Sequence, residues 1–142
     1  MRRPVLLDTG PLVAALDRRD RYHSWAKDQF FRFPAPFLTC EAVITEACFL
    51  LRKLSDGPQA VIKLLRREVM HIPFRLLEES EVIANLLEQY SDLPMSFADA
   101  CLVRMAETNS KCAVLTMDQD FKVYRKFGRS PIPTIMPEKT AK

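Results

Sequence analysis

Four acidic residues in this chain stand where a carboxylate could do chemistry. Asp8 directly follows the apolar run Val5-Leu6-Leu7, and Asp118 follows Leu115-Thr116-Met117. Glu46 lies between Val43 and Leu50 at three- and four-residue spacing, which sets its carboxylate at or beside the apolar stripe of a helix. Asp99 is flanked by Phe97, Ala98, Ala100, Cys101 and Leu102. A charge among such neighbours is expensive unless it is paired, protonated or bound to a cation. Each acid also has an ordinary reading. Asp8 and Asp118 are turn carboxylates, Glu46 is a stripe-edge residue reaching for water, and Asp99 is a first-turn acid favoured by the helix dipole. Taken together they point elsewhere. Four carboxylates converging on one cleft raise each other's pKa unless a cation is present. An all-oxygen donor set suits Mg2+ or Mn2+ rather than Zn2+. Such ions activate water and stabilise charge in phosphodiester hydrolysis.

The elements that must position these acids alternate between short strands and helices. Residues 4–7 form a continuous apolar run, read as a buried strand ending at Asp8. Pro11 restarts a helical pattern, and residues 21–33 read as a second helix closed by Pro34-Ala35-Pro36. Residues 37–39 are a short strand. Residues 41–54 are a helix with Val43, Ile44, Ala47, Leu50, Leu51 and Leu54 apolar. Ser55 or Asp56 caps a helix over 59–68, followed by a strand at 69–73. Helices over 76–90 and 96–109 precede a strand at 112–116. Residues 121–127 read as a short amphipathic helix ended by Gly128, and 133–136 as a last strand. This alternation predicts an α/β fold, a parallel sheet with helices on both faces. Ligands bind such sheets outside the carboxyl ends of the strands. Asp8 and Asp118 sit there by sequence alone.

Asp8-Thr9-Gly10-Pro11-Leu12 after a strand, Glu46 in a mid-chain helix, Ser96-Phe97-Ala98-Asp99-Ala100 opening a helix, and Leu115-Thr116-Met117-Asp118-Gln119-Asp120-Phe121 occur in that order. Together they resemble the PIN-domain ribonucleases, in particular the VapC-like toxins of bacterial toxin–antitoxin pairs. The resemblance covers nearly the whole chain, and the Asp99 and Asp118 segments are its most specific parts. It implies a three-layer α/β/α fold with a central, mostly parallel sheet of about five short strands. It further implies a metal-dependent endoribonuclease, a homodimer and inhibition by a small antitoxin. By the motif match Asp8, Glu46, Asp99 and Asp118 carry over as catalytic, metal-site acids for Mg2+ or Mn2+. Thr116 carries over as a supporting polar residue, and Asp120 as a further acid. Asp118 is preferred to Asp120 because it follows Leu115-Thr116 at the family's spacing; Glu41 is a lesser competitor for Glu46. Two other readings remain open: a housekeeping RNA-processing nuclease, and a non-catalytic module that uses the acidic cleft to hold a metal or a basic peptide.

Composition narrows the field. With 142 residues, 48% hydrophobic and 27% charged, the chain reads as one globular domain over 1–142. Gly10, Gly57 and Gly128 are its only glycines and cannot assemble a phosphate loop. Asp8-Thr9-Gly10 also matches the aspartic-protease triplet, but that fold is β-rich and this chain is helix-rich. Cys40, Cys48, Cys101 and Cys112 form no C-x-x-C pair, and His23 and His71 are the only histidines, which argues against zinc. Cys48 and Cys101 read as small buried residues. The apolar runs are too short for a signal peptide or a spanning helix, so a cytoplasmic protein without membrane contact is expected.

The net charge of +3 permits an RNA substrate without requiring one. Arg18, Arg19 and Arg21, with Lys122, Arg125, Lys126 and Arg129, are either phosphate contacts or solvated surface. Tyr22, Trp25, Phe30, Phe31 and Phe33 either stack on bases or pack. The helices over 41–54 and 59–68, with Phe30, Phe31 and Phe49, supply more apolar surface than a thin sheet covers, which predicts a two-fold dimer. The acidic motifs hold no Lys or Arg, and helical geometry turns Arg104 away from Asp99. An inhibitory partner is therefore expected to present an Arg to the cleft.

Overall fold

The computed structural model describes residues 3–138. In chain order these form β1 (Val5–Leu7), α1 (Thr9–Leu16), α2 (His23–Arg32), β2 (Phe37–Leu38), α3 (Glu41–Leu50), α4 (Gly57–Arg66), β3 (Met70–His71), α5 (Leu76–Gln89), α6 (Phe97–Thr108) and β4 (Ala113–Leu115). A 3-10 helix (Gln119–Lys122), β5 (Arg125–Lys126), β6 (Ser130–Pro131) and β7 (Thr134–Ile135) complete them.

The two central strands are apolar on both faces because both faces are covered. Every side chain of β1 and β4 is buried, and the strands pair in parallel with Leu6 opposite Val114. The five-stranded sheet runs β3-β2-β1-β4-β7, with every pair parallel. This is the expected α/β fold with a central parallel sheet flanked by helices. The chain builds outward from β1 to β3, then returns to lay β4 on the other side of β1. Successive crossovers thus leave β1 and β4 in opposite directions, and a crevice opens at their carboxyl ends. Leu6, Leu7, Leu12, Phe37, Met70, Leu102, Met105 and Leu115 fill the core between sheet and helices.

Local chemistry sets the helix starts that matter for the crevice. Asp8 caps α1, its side chain accepting from the Thr9 amide, and Pro11 falls in the first turn where it removes no helical bond. Ser96 and Asp99 form a complete capping box at the start of α6. Strand and acid, or acid and helix, are therefore contiguous, with no loop between them to blur the geometry.

Three expectations need correction. The helix read over 41–54 stops at Leu50; Leu51 turns into the core, and tight turns from Leu51 to Leu54 and from Leu54 to Gly57 carry the chain into α4. Asp56 does stand before α4, but it adopts the left-handed conformation (φ 59°) and makes no capping bond, so the side-chain cap expected from Ser55 or Asp56 is not formed. The helix read over 121–127 is instead the 3-10 turn followed by the antiparallel β5–β6 hairpin. Phe127 (φ 52°) and Gly128 (φ 70°) both lie in the left-handed region, within the three-residue loop between Lys126 and Ser130, where the Arg129 amide donates to the Lys126 carbonyl at 3.0 Å. The Arg125 Nη1 donates to the carbonyls of Lys122, Val123 and Tyr124 and closes the turn.

Gly57 is fixed by space. A Cβ there would stand 2.1 Å from the Leu51 carbonyl oxygen, which is backbone and cannot swing aside. Gly57→Ala is expected to destabilise the fold by about 2 kcal/mol or more, read as a lowered urea midpoint at unchanged m-value. An unchanged midpoint would mean that the α3–α4 junction yields freely.

Candidate active site

The crevice at the carboxyl ends of β1 and β4 is a cleft of about 350 Å3 lined by Asp8, Thr9, Gly10, Glu46, Leu50, Pro94, Ser96, Asp99, Met117 and Asp118. Asp8 is buried at 7% exposure, and both its oxygens accept hydrogen bonds. The Thr9 amide donates to Oδ1 at 2.8 Å, and the Thr116 hydroxyl donates to Oδ2 at 2.6 Å. The Thr116 oxygen in turn accepts from the Asp118 amide at 2.9 Å. One buried hydroxyl thus ties the acid after β1 to the acid after β4. Asp118 caps the 3-10 turn through Oδ1, which accepts from the Asp120 amide at 2.9 Å.

Asp99 reaches the same cleft from α6 and is 6% exposed. Its Oδ2 takes the fully buried Tyr124 hydroxyl at 2.9 Å and the Ser96 amide at 3.4 Å. The two readings of Asp99, first-turn acid and cleft acid, are both true of it. Glu46, exposed on α3, accepts the Thr9 hydroxyl on Oε1 at 2.7 Å. Its ordinary reading, a stripe-edge acid reaching water, and its cleft position likewise coincide. The structure therefore gathers Asp8, Glu46, Asp99 and Asp118 around one cleft, with Thr116 directly beneath Asp8. Asp120 and Glu41 do not line it.

The electrostatics follow from burial. The Asp8 pKa is pushed up to about 6, first by loss of water and then by the charges of Asp99 and Asp118, against the opposing bonds from Thr116 and Thr9. Burial also raises Asp99, opposed by the Tyr124 bond and reinforced by Asp118. Burial and the carboxylate beside it hold the Tyr124 phenol protonated well above its usual range, so it serves Asp99 as a donor.

Among the described residues no three His, Cys, Asp or Glu side chains are gathered into a protein-only metal cage. The donor set still fits a hard divalent ion. Tyr124 and Ser96 share one oxygen of Asp99, Asp120 takes one of Asp118 and Thr9 takes one of Glu46, which leaves these three acids a second oxygen for a ligand. Both Asp8 oxygens are bonded, each keeping a further lone pair. Mg2+ keeps several of its waters and draws on only one or two carboxylates, so it needs no closed cage.

Several sequence candidates lie elsewhere. None of Arg18, Arg19, Arg21, Lys122, Arg125, Lys126 or Arg129 lines the cleft. Arg19 lies 3.7 Å from Asp17, and Arg125 is occupied by carbonyls. Arg104 faces away, paired with Glu79 at 2.7 Å and Glu107 at 3.1 Å. Trp25, Phe30 and Phe33 pack on the core, with the Phe30 ring 4.7 Å from that of Phe37. Cys40, Cys101 and Cys112 are buried, while Cys48 is only half-buried. Two residues escaped sequence reasoning. Thr9 stands in the Asp8-Thr9-Gly10 motif without a role of its own there, and its bond to Glu46 spans 37 positions. Tyr124 lies within the stretch read as a short helix over 121–127, and nothing local in the sequence marks its hydroxyl as a partner of Asp99.

The raised Asp8 pKa sets a sign for stability against pH. The folded state holds the Asp8 proton more tightly than the unfolded chain, so stability falls as pH rises from about 4 to about 6. The full penalty, on the order of 3 kcal/mol, is present above that window. In chelator at neutral pH, Asp8→Asn is expected to unfold at a higher temperature than the native chain, and the difference should vanish near pH 4. An Asp8→Asn protein that is less stable at neutral pH would contradict this balance.

Comparison with known proteins agrees with the fold. No curated protein sequence matches the chain. Among solved structures, the crystal structure of Mycobacterium tuberculosis VapC20, described as a Sarcin-Ricin loop cleaving toxin, superposes with a TM-score of 0.74. The match is 20% identical and covers 84% of this chain and 93% of that one. The PIN domain family model matches residues 5–126, a span that runs from β1 through β5 and includes every acid of the cleft. The chain belongs to the PIN domain family.

Proposed function

We propose that the chain is a divalent-metal-dependent endoribonuclease that hydrolyses RNA phosphodiester bonds, and that it acts as the toxin of a toxin–antitoxin pair. One observation carries the reading. Three aspartates from three separate elements, joined by Glu46, face one cleft at the switch point of the sheet, and no Lys or Arg lines that cleft to balance them. The likeness to VapC20, itself described as a Sarcin-Ricin loop cleaving toxin, supports the same reading.

Asp8, Asp99 and Asp118, with Glu46, would hold Mg2+ or Mn2+. When bound, such an ion supplies Lewis acidity, a water of lowered pKa and neutralisation of the crowded charge. The chain's own groups hold the acids in place. Thr116 keeps Asp8 turned to the cleft and sets the height of Asp118 beside it. Tyr124 fixes Asp99 from below, and Thr9 draws Glu46 in from α3. Every one of these donors is aimed at a carboxylate oxygen, which favours the ionised form each acid needs as a ligand.

The same excess of acid defines the partner. An antitoxin segment with an Arg could pair bidentately with these carboxylates and compete for the cleft. The exposed side chains Phe31, Ile62 and Leu77 offer apolar surface to that segment and to a second copy of the chain, giving a homodimer. No helix among the described residues is long and apolar enough to cross a membrane, in keeping with a cytoplasmic site of action.

Incubation of total RNA with the purified chain tests the activity. Cleavage is expected with Mg2+ or Mn2+, lost in EDTA and restored by excess ion. Asp8→Asn and Asp99→Asn should each lower the rate at least about a hundredfold while the proteins stay folded. Cleavage by both variants in chelator would sink the metal reading. An Asp8→Asn protein that still binds its neighbouring gene product separates loss of chemistry from loss of assembly. Full activity of the native complex with that product would remove the antitoxin reading.

A further inference from the structure

We propose that the groove between α3 and the start of α6 is a stacking platform for an unpaired nucleobase next to the scissile phosphate, with Phe49 and Phe97 as its rings. The proposal rests on the nuclease reading above and names how that site holds its RNA. The groove, about 610 Å3, opens directly off the acidic cleft, because Glu46 and Ser96 line both. Phe49 and Phe97 line it together with Ala42, Ala98, Thr45 and a second acid, Glu41.

Both rings are exposed where burial would be expected. Phe49 is 60% and Phe97 44% exposed. Phe97 is the exposed apolar residue of its helix, since every residue from Ala98 to Val103 is buried. Phe49 follows Glu46 by three positions on α3, and Phe97 precedes Asp99 by two, so each ring is carried by an element that also carries a cleft acid. The Phe49 ring is also held. The Arg52 guanidinium lies over it, 3.9 Å from the ring centroid, and Arg52 Nη1 donates to the Phe49 carbonyl at 2.7 Å. That arrangement fixes the ring and sets a cation beside the groove.

The charge of the cleft says what the groove should take. With no Lys or Arg lining the cleft, an RNA strand needs a hold nearby that does not depend on positive charge at the acids themselves. Stacking on an aromatic face provides one and tolerates any base. Arg52, held against the Phe49 ring, is the cation next to this platform and can meet a phosphate of the strand. A single-stranded nucleotide presents a base face and a phosphodiester within one residue, which matches an aromatic groove opening onto an acidic cleft.

The test uses a short single-stranded RNA carrying the mapped cut site, with 2-aminopurine or an abasic nucleotide beside the scissile bond. In EDTA the native chain should quench the 2-aminopurine, and the Phe49→Ala Phe97→Ala protein should not. With Mg2+, each single alanine variant should lower kcat/KM about tenfold, mostly through KM, and Phe97→Tyr should restore it. The abasic RNA should cost the native chain about tenfold and the double variant nothing further. Unchanged kcat/KM and quenching in the alanine variants would overturn the platform while leaving the nuclease intact. Loss of a dimer by those variants in sedimentation, with abasic RNA cut as well as the intact strand, would assign the rings to a second copy instead. Failure of the native chain to cut any RNA would remove the nuclease reading and the platform with it.

Discussion

The hydroxyl of Thr116 is the contact on which the cleft depends. It lies at the end of β4, fully buried, donating to Asp8 at the end of β1 and accepting from the backbone of Asp118. Its position is inherited from the parallel pairing of the two strands, which sets Leu7 opposite Leu115 and leaves the next residues of each strand side by side. A two-strand register thereby becomes the spacing of two acids. The sheet order does the rest: with β2 and β3 on one side of β1 and β4 and β7 on the other, the connections diverge at the ends of β1 and β4, and a cleft opens there between the largely buried Asp8 and Asp99 and their neighbours.

That placement has a thermodynamic consequence. Buried carboxylates raise one another's pKa, and Asp8 is driven to about 6 even with two hydrogen bonds supporting its charged form. The fold tolerates the strain because the remaining groups are satisfied: among the described residues no fully buried side-chain nitrogen or oxygen lacks a partner. The cost is local and sits where a cation would relieve it. Stability and function are in tension at this one place, a common pattern for sites that must hold charge before a ligand arrives.

Local chemistry made much of this legible in the sequence. Asp8 after three apolar residues, and Ser96 three residues before Asp99, are strand-end and capping signals that need no knowledge of the rest of the chain. The alternation of short apolar runs with helical periodicity carried the sheet type. What the sequence hid was long-range or conformational. Tyr124 meets Asp99 only because the chain folds into a 3-10 turn and a hairpin, and the hairpin depends on two left-handed residues, one of them Phe127, which no propensity favours there. The α3–α4 junction brings Gly57 against the Leu51 carbonyl, a close backbone approach that no local pattern in the sequence displays. The basic residues clustered in sequence near the acids, yet Arg125 is spent on carbonyls and none of them lines the cleft, because sequence distance does not fix the direction of a long side chain.

If the acids are arranged to hold a divalent ion, then binding must displace the proton that burial places on Asp8. Titration of Mg2+ into the native chain by calorimetry, repeated in two buffers of different ionisation enthalpy, counts that proton directly. With the Asp8 pKa at about 6, release of about half a proton per bound ion from this group is expected at that pH, falling toward zero by about pH 8, and Asp8→Asn should release correspondingly less. Binding of Mg2+ without proton release near pH 6, or equal binding by Asp8→Asn, would contradict the account.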